Sequence, residues 1–108
     1  MAPFRDEKMI ELIKHLGAKF LQEESGPSSL ITVTKATWNE KTKSSTIYFT
    51  AFPEEKEKIA LLFAKRKRSD FREYFKEHSR TRFVPIFDFE IDLGEKNRQK
   101  IDELSKDI

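Results

Sequence analysis

The sequence predicts a single α+β domain of two layers, with helices packed on one face of a three-stranded sheet. Three observations predict it. An apolar stripe at helical spacing opens the chain, alternating segments mark three strands, and a broken helical pattern stands between the second strand and the third. At 108 residues there is room for one core and not for two. Ten Phe, one Trp and two Tyr supply that core in a few large pieces, each burying roughly 150–250 Å².

The first helix is expected over residues 6–24. Met9, Ile13, Leu16 and Phe20 recur at spacings of four, three and four, with Leu12 and Leu21 beside them. Ser25-Gly26-Pro27-Ser28-Ser29 ends it. The first strand is expected over 30–38. Ile31 and Val33 share one face, then Ala36 and Trp38 continue on the opposite parity. That phase change places a bulge near Thr34-Lys35. Asn39 to Ser44 is polar and turn-like, and Thr46 to Phe52 alternates as a second strand. A short polar loop between two strands predicts an antiparallel hairpin.

Pro53-Glu54-Glu55 opens a further helix. Ile59, Leu62 and Phe63 are its expected buried face. From Lys65 to Asp70 no apolar residue occurs, and apolar spacing resumes at Phe71, Tyr74 and Phe75. The row Phe63, 67, Phe71, Phe75 would be continuous at i+4, but position 67 is Lys. The pattern predicts two helices, about 54–67 and 70–79, joined by a kink, with Ser69 or Asp70 as the cap of the second. Residues 83–93 read as the third strand. Phe87, Phe89, Ile91 and Leu93 face the core, and Asp88, Glu90 and Asp92 face solvent. Gly94 stops it, and the segment 95–108 is weakly helical, with Ile101 and Leu104 as anchors. One domain spans 1–108, with its core in about 6–93.

The chain carries 21 Lys+Arg against 19 Asp+Glu and no Cys. A disulfide framework, a thiolate nucleophile and a Cys-containing zinc site are thereby excluded. No apolar run is long enough to span a membrane, and residues 1–8 hold no hydrophobic signal core. A cytoplasmic protein is the expectation. His15 and His78 lie on different helices with no ligand or nucleophile pattern near either. Gly17, Gly26 and Gly94 form no phosphate-binding loop. Trp38 and Tyr48 could stack on bases, but core packing is the expected role. Neither a cofactor nor a metal is called for.

The sharpest feature is basic. Lys65-Arg66-Lys67-Arg68 is followed by Ser69, Arg72, Arg80 and Arg82. Cations at a point where one helix stops and another starts suit the phosphates of a polyanion. A solvated face of ion pairs is the competing reading.

Several short strings, in this order, resemble the ribosome-binding factor A family. They are Glu11-Leu12-Ile13, Ala18 to Gln22, Ile31-Thr32-Val33-Thr34 and Thr46-Ile47-Tyr48-Phe49, then Phe71-Arg72, Arg82-Phe83-Val84-Pro85, Phe87-Asp88-Phe89 and Ile101-Asp102-Glu103-Leu104. The resemblance covers about residues 8–104. It implies a type II KH-like fold, α-β-β-α-kink-α-β, and a non-catalytic factor. Such a factor binds the small ribosomal subunit and its 16S ribosomal RNA, assists late 30S maturation and rRNA processing, and is monomeric when free. The family carries an Ala-x-Gly kink where this chain reads Arg68-Ser69-Asp70, and an Arg in the first helix where this chain has Lys8. The RNA-binding residues expected here are Lys65, Arg66, Lys67, Arg68, Ser69, Arg72, Arg80 and Arg82. A protein-interaction module with a charged docking surface is the alternative. It would need exposed apolar anchors, which the sequence does not single out.

Overall fold

A computed structural model describes residues 3–25, 30–95 and 97. Its elements are α1 (Pro3–Ser25), β1 (Leu30–Ala36), β2 (Ser44–Phe52), a 3-10 turn (Glu54–Lys56), α2 (Glu57–Arg66), α3 (Arg68–His78) and β3 (Ile86–Ile91). The expected order α-β-β-α-kink-α-β is present. The strands form one sheet in the order β1-β2-β3. β1 runs antiparallel to β2, and β3 runs parallel to it. A parallel neighbour needs a crossover, and the α2–α3 pair provides it.

The phase change in β1 is a register shift between Val33 and Lys35. Thr34 is the residue without a partner in the ladder, so Ala36 returns to the core face opposite Ile47. The hairpin turn is held by Asn39, whose Oδ1 accepts the backbone N–H groups of Lys41 at 3.0 Å and Thr42 at 3.2 Å. Lys43 adopts a left-handed φ of 53° there, and its carbonyl accepts the N–H of Ile86 at 2.9 Å, where β3 begins.

The core lies between the sheet and the helices. α1 contributes Ile13, Leu16, Phe20 and Leu21, β2 contributes Ile47, Phe49 and Ala51, and β3 contributes Phe87 and Phe89. Phe71 and Phe75 of α3 are fully buried. Phe71 is the hub of an aromatic cluster, with ring centroids 4.5 Å from Phe87, 5.2 Å from Phe20 and 5.7 Å from Phe89. α1 lies close against the sheet at Gly17, where a Cβ would stand 3.2 Å from Ile47 Cδ1.

Five expectations are corrected. The buried face of α2 is Ala60 and Ala64, not Ile59, Leu62 and Phe63. Ile59 and Leu62 are 65% and 52% exposed, and Phe63 is half-buried. Two small residues let α2 lie close to the sheet, and that choice rotates the larger ones outward. Neither Ser69 nor Asp70 caps α3. The helix restarts at once, with Lys67 at its N-cap and no capping side chain. The Lys67 N–H reaches the carbonyls of both Phe63 and Ala64 at 3.1 Å, and its own carbonyl accepts the Phe71 N–H at 2.8 Å. Ser69 and Asp70 already lie inside the first turn of α3, past the position from which a side chain would cap it.

The third strand is shorter than 83–93. Arg72 donates to the carbonyls of Val84 and Pro85, both at 2.9 Å, so α3 takes acceptors that a ladder would use. At the other end Asp92 leaves the alternation. It is buried, accepts the Thr34 hydroxyl, and caps a helical turn at 93–95 through its Oδ1 and the Glu95 N–H at 3.0 Å. Leu93 is consequently 65% exposed rather than core. Tyr48, expected in the core, is half-buried on the opposite face of the sheet, where Lys35 Nζ lies 4.7 Å from its ring. Trp38 does pack against the core from its edge. Of the segment 95–108, all but residues 95 and 97 fall outside the described residues.

Candidate nucleic-acid interface

The helix break falls inside the basic run, as the interrupted apolar row predicts. α2 ends at Arg66, Lys67 is the hinge with φ −95° and ψ 10°, and α3 begins at Arg68. Lys65, Arg66, Lys67, Arg68, Ser69 and Arg72 are therefore gathered along one helix–helix junction. Arg80 and Arg82 lie beyond the far end of α3, an 11-residue helix, about 16 Å away at 1.5 Å per residue.

Most of the junction cations already hold a partner. Lys65 Nζ bridges Asp88 Oδ1 and Glu90 Oε2, each at 2.9 Å. Arg68 shares Asp88, with Nη1 at 3.2 Å, and its Nε donates to the Lys65 carbonyl at 3.0 Å. Lys67 Nζ lies 3.3 Å from Glu24 Oε1 and 3.5 Å from Asp70 Oδ2. Arg72 is held on the two carbonyls ahead of β3. Arg66, Arg80 and Arg82 are exposed and have no hydrogen-bonded or ionic partner among the described residues. Ser69 is exposed at the start of α3.

These pairs move the titrations of their members. The Glu90 hydrogen bond foremost, with Asp88 in support, raises the Lys65 ammonium above its usual value against a burial penalty. Burial works against the Asp88 carboxylate, but Lys65, the Phe89 N–H and Arg68 together outweigh it and hold its pKa below the usual value. The Glu24 hydrogen bond does most to raise Lys67. The carboxylate row of β3 is thus a clamp that fastens α2 to the sheet rather than a purely solvated face. Sequence spacing could not reveal it, because its partners are 23 and 25 residues apart. Asp92 followed three residues later by Glu95 resembles the sequence of a capping box, but so does Asp70 with Glu73, which caps nothing, so the spacing alone could not single Asp92 out.

The histidines stay apart. His15 is exposed, and His78 stacks on Tyr74 at 4.0 Å. Among the described residues, no three His, Asp or Glu side chains come together as a metal-binding group. No helix among the described residues is long and apolar enough to cross a membrane.

The elements define a class: a small α+β domain with a mixed three-stranded sheet, helices on one face and a basic kink in its crossover. Its fold is that of ribosome-binding factor A. The crystal structure of ribosome-binding factor A from Thermus thermophilus superposes with a TM-score of 0.69 at 22% identity, over 80% of this chain and 94% of that one. The solution structure of a Thermotoga maritima protein assigned as a putative ribosome binding factor A gives 0.63 at 17% identity, over 83% and 89%. No protein-family model matches the sequence, and no curated protein matches it.

Proposed function

We propose that this protein is a non-catalytic factor that binds the small ribosomal subunit through its 16S ribosomal RNA and assists late 30S maturation and rRNA processing. It would act in the cytoplasm, as a monomer when free. The observation that carries the reading is the fold, shared over four-fifths of the chain with a ribosome-binding factor A. The basic junction supplies the chemistry. Arg66 offers an uncommitted guanidinium beside the hinge, and Arg68 and Arg72 are exposed with donors left over for phosphate. Arg80 and Arg82 extend the positive surface past α3. Lys65 and Lys67 add charge while holding α2 and α3 in place.

Phosphate contacts are largely sequence-independent and salt-sensitive. Binding of the pure protein to purified small subunits, titrated against salt, tests the reading. Arg66→Ala/Arg68→Ala should weaken binding and reduce the slope of log K against log salt by about one for each lost contact. Lys67→Ala/Arg68→Ala should do the same with at most a modest loss of stability, because partly exposed ion pairs contribute little. Unchanged affinity and slope in both double variants would remove the junction from the RNA interface. Failure of the wild-type protein to bind subunits at all would remove the ribosome.

A further inference from the structure

We propose that the outward face of α2 is a docking site for a protein partner, specifically an acidic amphipathic segment that lays apolar side chains between two cations. Lys56, Ile59, Phe63 and Arg66 follow one another at spacings of three, four and three, which is one face of a helix. A cation stands at each end and apolar surface lies between. Ile59 is 65% exposed, and Leu62, on the same side of the helix, is 52% exposed. Single exposed aliphatic residues are ordinary, but a contiguous rimmed patch marks an interaction surface.

The patch has shape as well as composition. Ile59, Ala60 and Phe63 of α2 form one wall of a groove, with Ser25 and Ile31 on the other side. Its volume of about 570 Å³ includes open solvent. An open groove covers one side of its ligand, unlike the enclosed sites that hold small molecules. The Ser25 hydroxyl is buried in that wall and has no hydrogen-bond partner among the described residues. It is a donor and acceptor that a bound backbone would satisfy.

Charge decides what the occupant is. Lys56 and Arg66 have no ionic partner among the described residues, whereas Lys65, Lys67 and Arg68 do. They are separated by roughly 15 Å along the helix, the span of about three helical turns in a partner. Carboxylates at that separation, with large apolar side chains between them, complete both features at once, as in helix-in-groove recognition. A nucleic acid fits less well. Ile59 and Leu62, the most exposed apolar side chains of the patch, give a base no aromatic face to stack on.

The test uses the whole chain, isotope-labelled and titrated by NMR with three probes. One is a synthetic amphipathic peptide of about four helical turns, with Leu along one stripe and Glu at both ends of it. The second is the same peptide with Lys in place of Glu, and the third is a short single-stranded oligoribonucleotide. The acidic peptide should give saturable shifts centred on Ser25, Ile31 and residues 56–66. Ile59→Ser/Leu62→Ser and, separately, Lys56→Glu should each weaken it about tenfold or more. All three substitutions are at exposed positions, and the two variants remove different halves of the recognition. No saturable shift with the acidic peptide would overturn the proposal. So would equal binding of the Lys peptide, or saturable binding of the oligonucleotide at the apolar groove residues Ile31, Ile59 and Phe63; oligonucleotide shifts limited to Arg66 and the hinge belong to the RNA reading and leave the groove to the peptide. None of the three probes contains a ribosome, so the outcome is separate from that of the subunit titration.

Discussion

α2 and α3 are neighbours in sequence and similar in length, yet they hold the fold in opposite ways. α3 plants Phe71 and Phe75 in the centre of the core, both fully buried, and reaches back with Arg72 to tie down the entry to β3. α2 buries two alanines and fastens itself by the Lys65 clamp on Asp88 and Glu90. An element held by large buried rings has its orientation set by packing. An element held by small residues and ion pairs leaves its larger side chains free to meet something else. The hinge at Lys67 separates a structural helix from a presenting one.

The sharpest way to break that comparison is Phe71→Ala. The ring contacts α1, α3 and β3 together, so its loss should cost about 3–5 kcal/mol. The check is the urea midpoint at constant m, and a loss near that of a surface mutation would mean that α3 is no anchor. Phe89→Ala, on a fully buried ring of β3, belongs to the same range. Gly17→Val comes next. The added Cβ alone would meet Ile47 Cδ1 at 3.2 Å, and its methyl groups need more space still. Overpacking of this kind should cost about 1–3 kcal/mol.

The clamp on α2 should show itself in pH. Asp88 titrates below its unfolded value near 3.8, so its contribution is complete above that value and is lost as pH falls through the lower folded pKa. Lys65 titrates above 10.5, so its contribution is complete below that value and is lost as pH rises through the higher folded pKa. Asp88 is 39% exposed, and solvent screening keeps the whole effect within roughly 0.2–1 kcal/mol. Denaturation at about pH 7 and about pH 3 checks the acid limb. Asp88→Asn should lower stability at neutral pH and shrink the difference between the two conditions. An identical difference in both proteins would mean that the clamp contributes nothing.

How far the sequence could be read follows the same division. The α1 stripe, the β1 bulge, the hairpin and the helix break at Lys67 were all legible, because each is written in the spacing of adjacent residues. The buried rings Phe71, Phe75, Phe87 and Phe89 were legible for the same reason. The face of α2 was not. Ile59, Leu62 and Phe63 outweigh Ala60 and Ala64 in any local hydrophobicity reading, and only the closeness of helix to sheet selects the small pair. The basic run was legible as composition, but its pairing was not, because Glu24, Asp88 and Glu90 come from elements distant in sequence. The end of β3 was misread for a different reason. Strict alternation through Asp92 and Leu93 concealed a cap, and Asp-x-x-Glu spacing does not decide the matter, because it occurs both at Asp92, which caps, and at Asp70, which does not.

The smallest expected effect is the most informative about α2. Ile59→Ala and Leu62→Ala each remove a large aliphatic side chain, a change that in a core costs about 2–5 kcal/mol. Here Ile59 and Leu62 are 65% and 52% exposed, so little area returns to water and no cavity is left behind. Ala is also the better helix former, most clearly against the β-branched Ile, by a few tenths of a kcal/mol. The two terms oppose each other, and each variant should lie within about 0.5 kcal/mol of wild type in urea denaturation. Set beside Phe71→Ala, this is a difference of several kcal/mol between apolar truncations on two consecutive helices. A loss above about 2 kcal/mol at either position would place that side chain in the core. The sequence-based expectation for α2 would then be restored, and with it the surface available for docking would disappear.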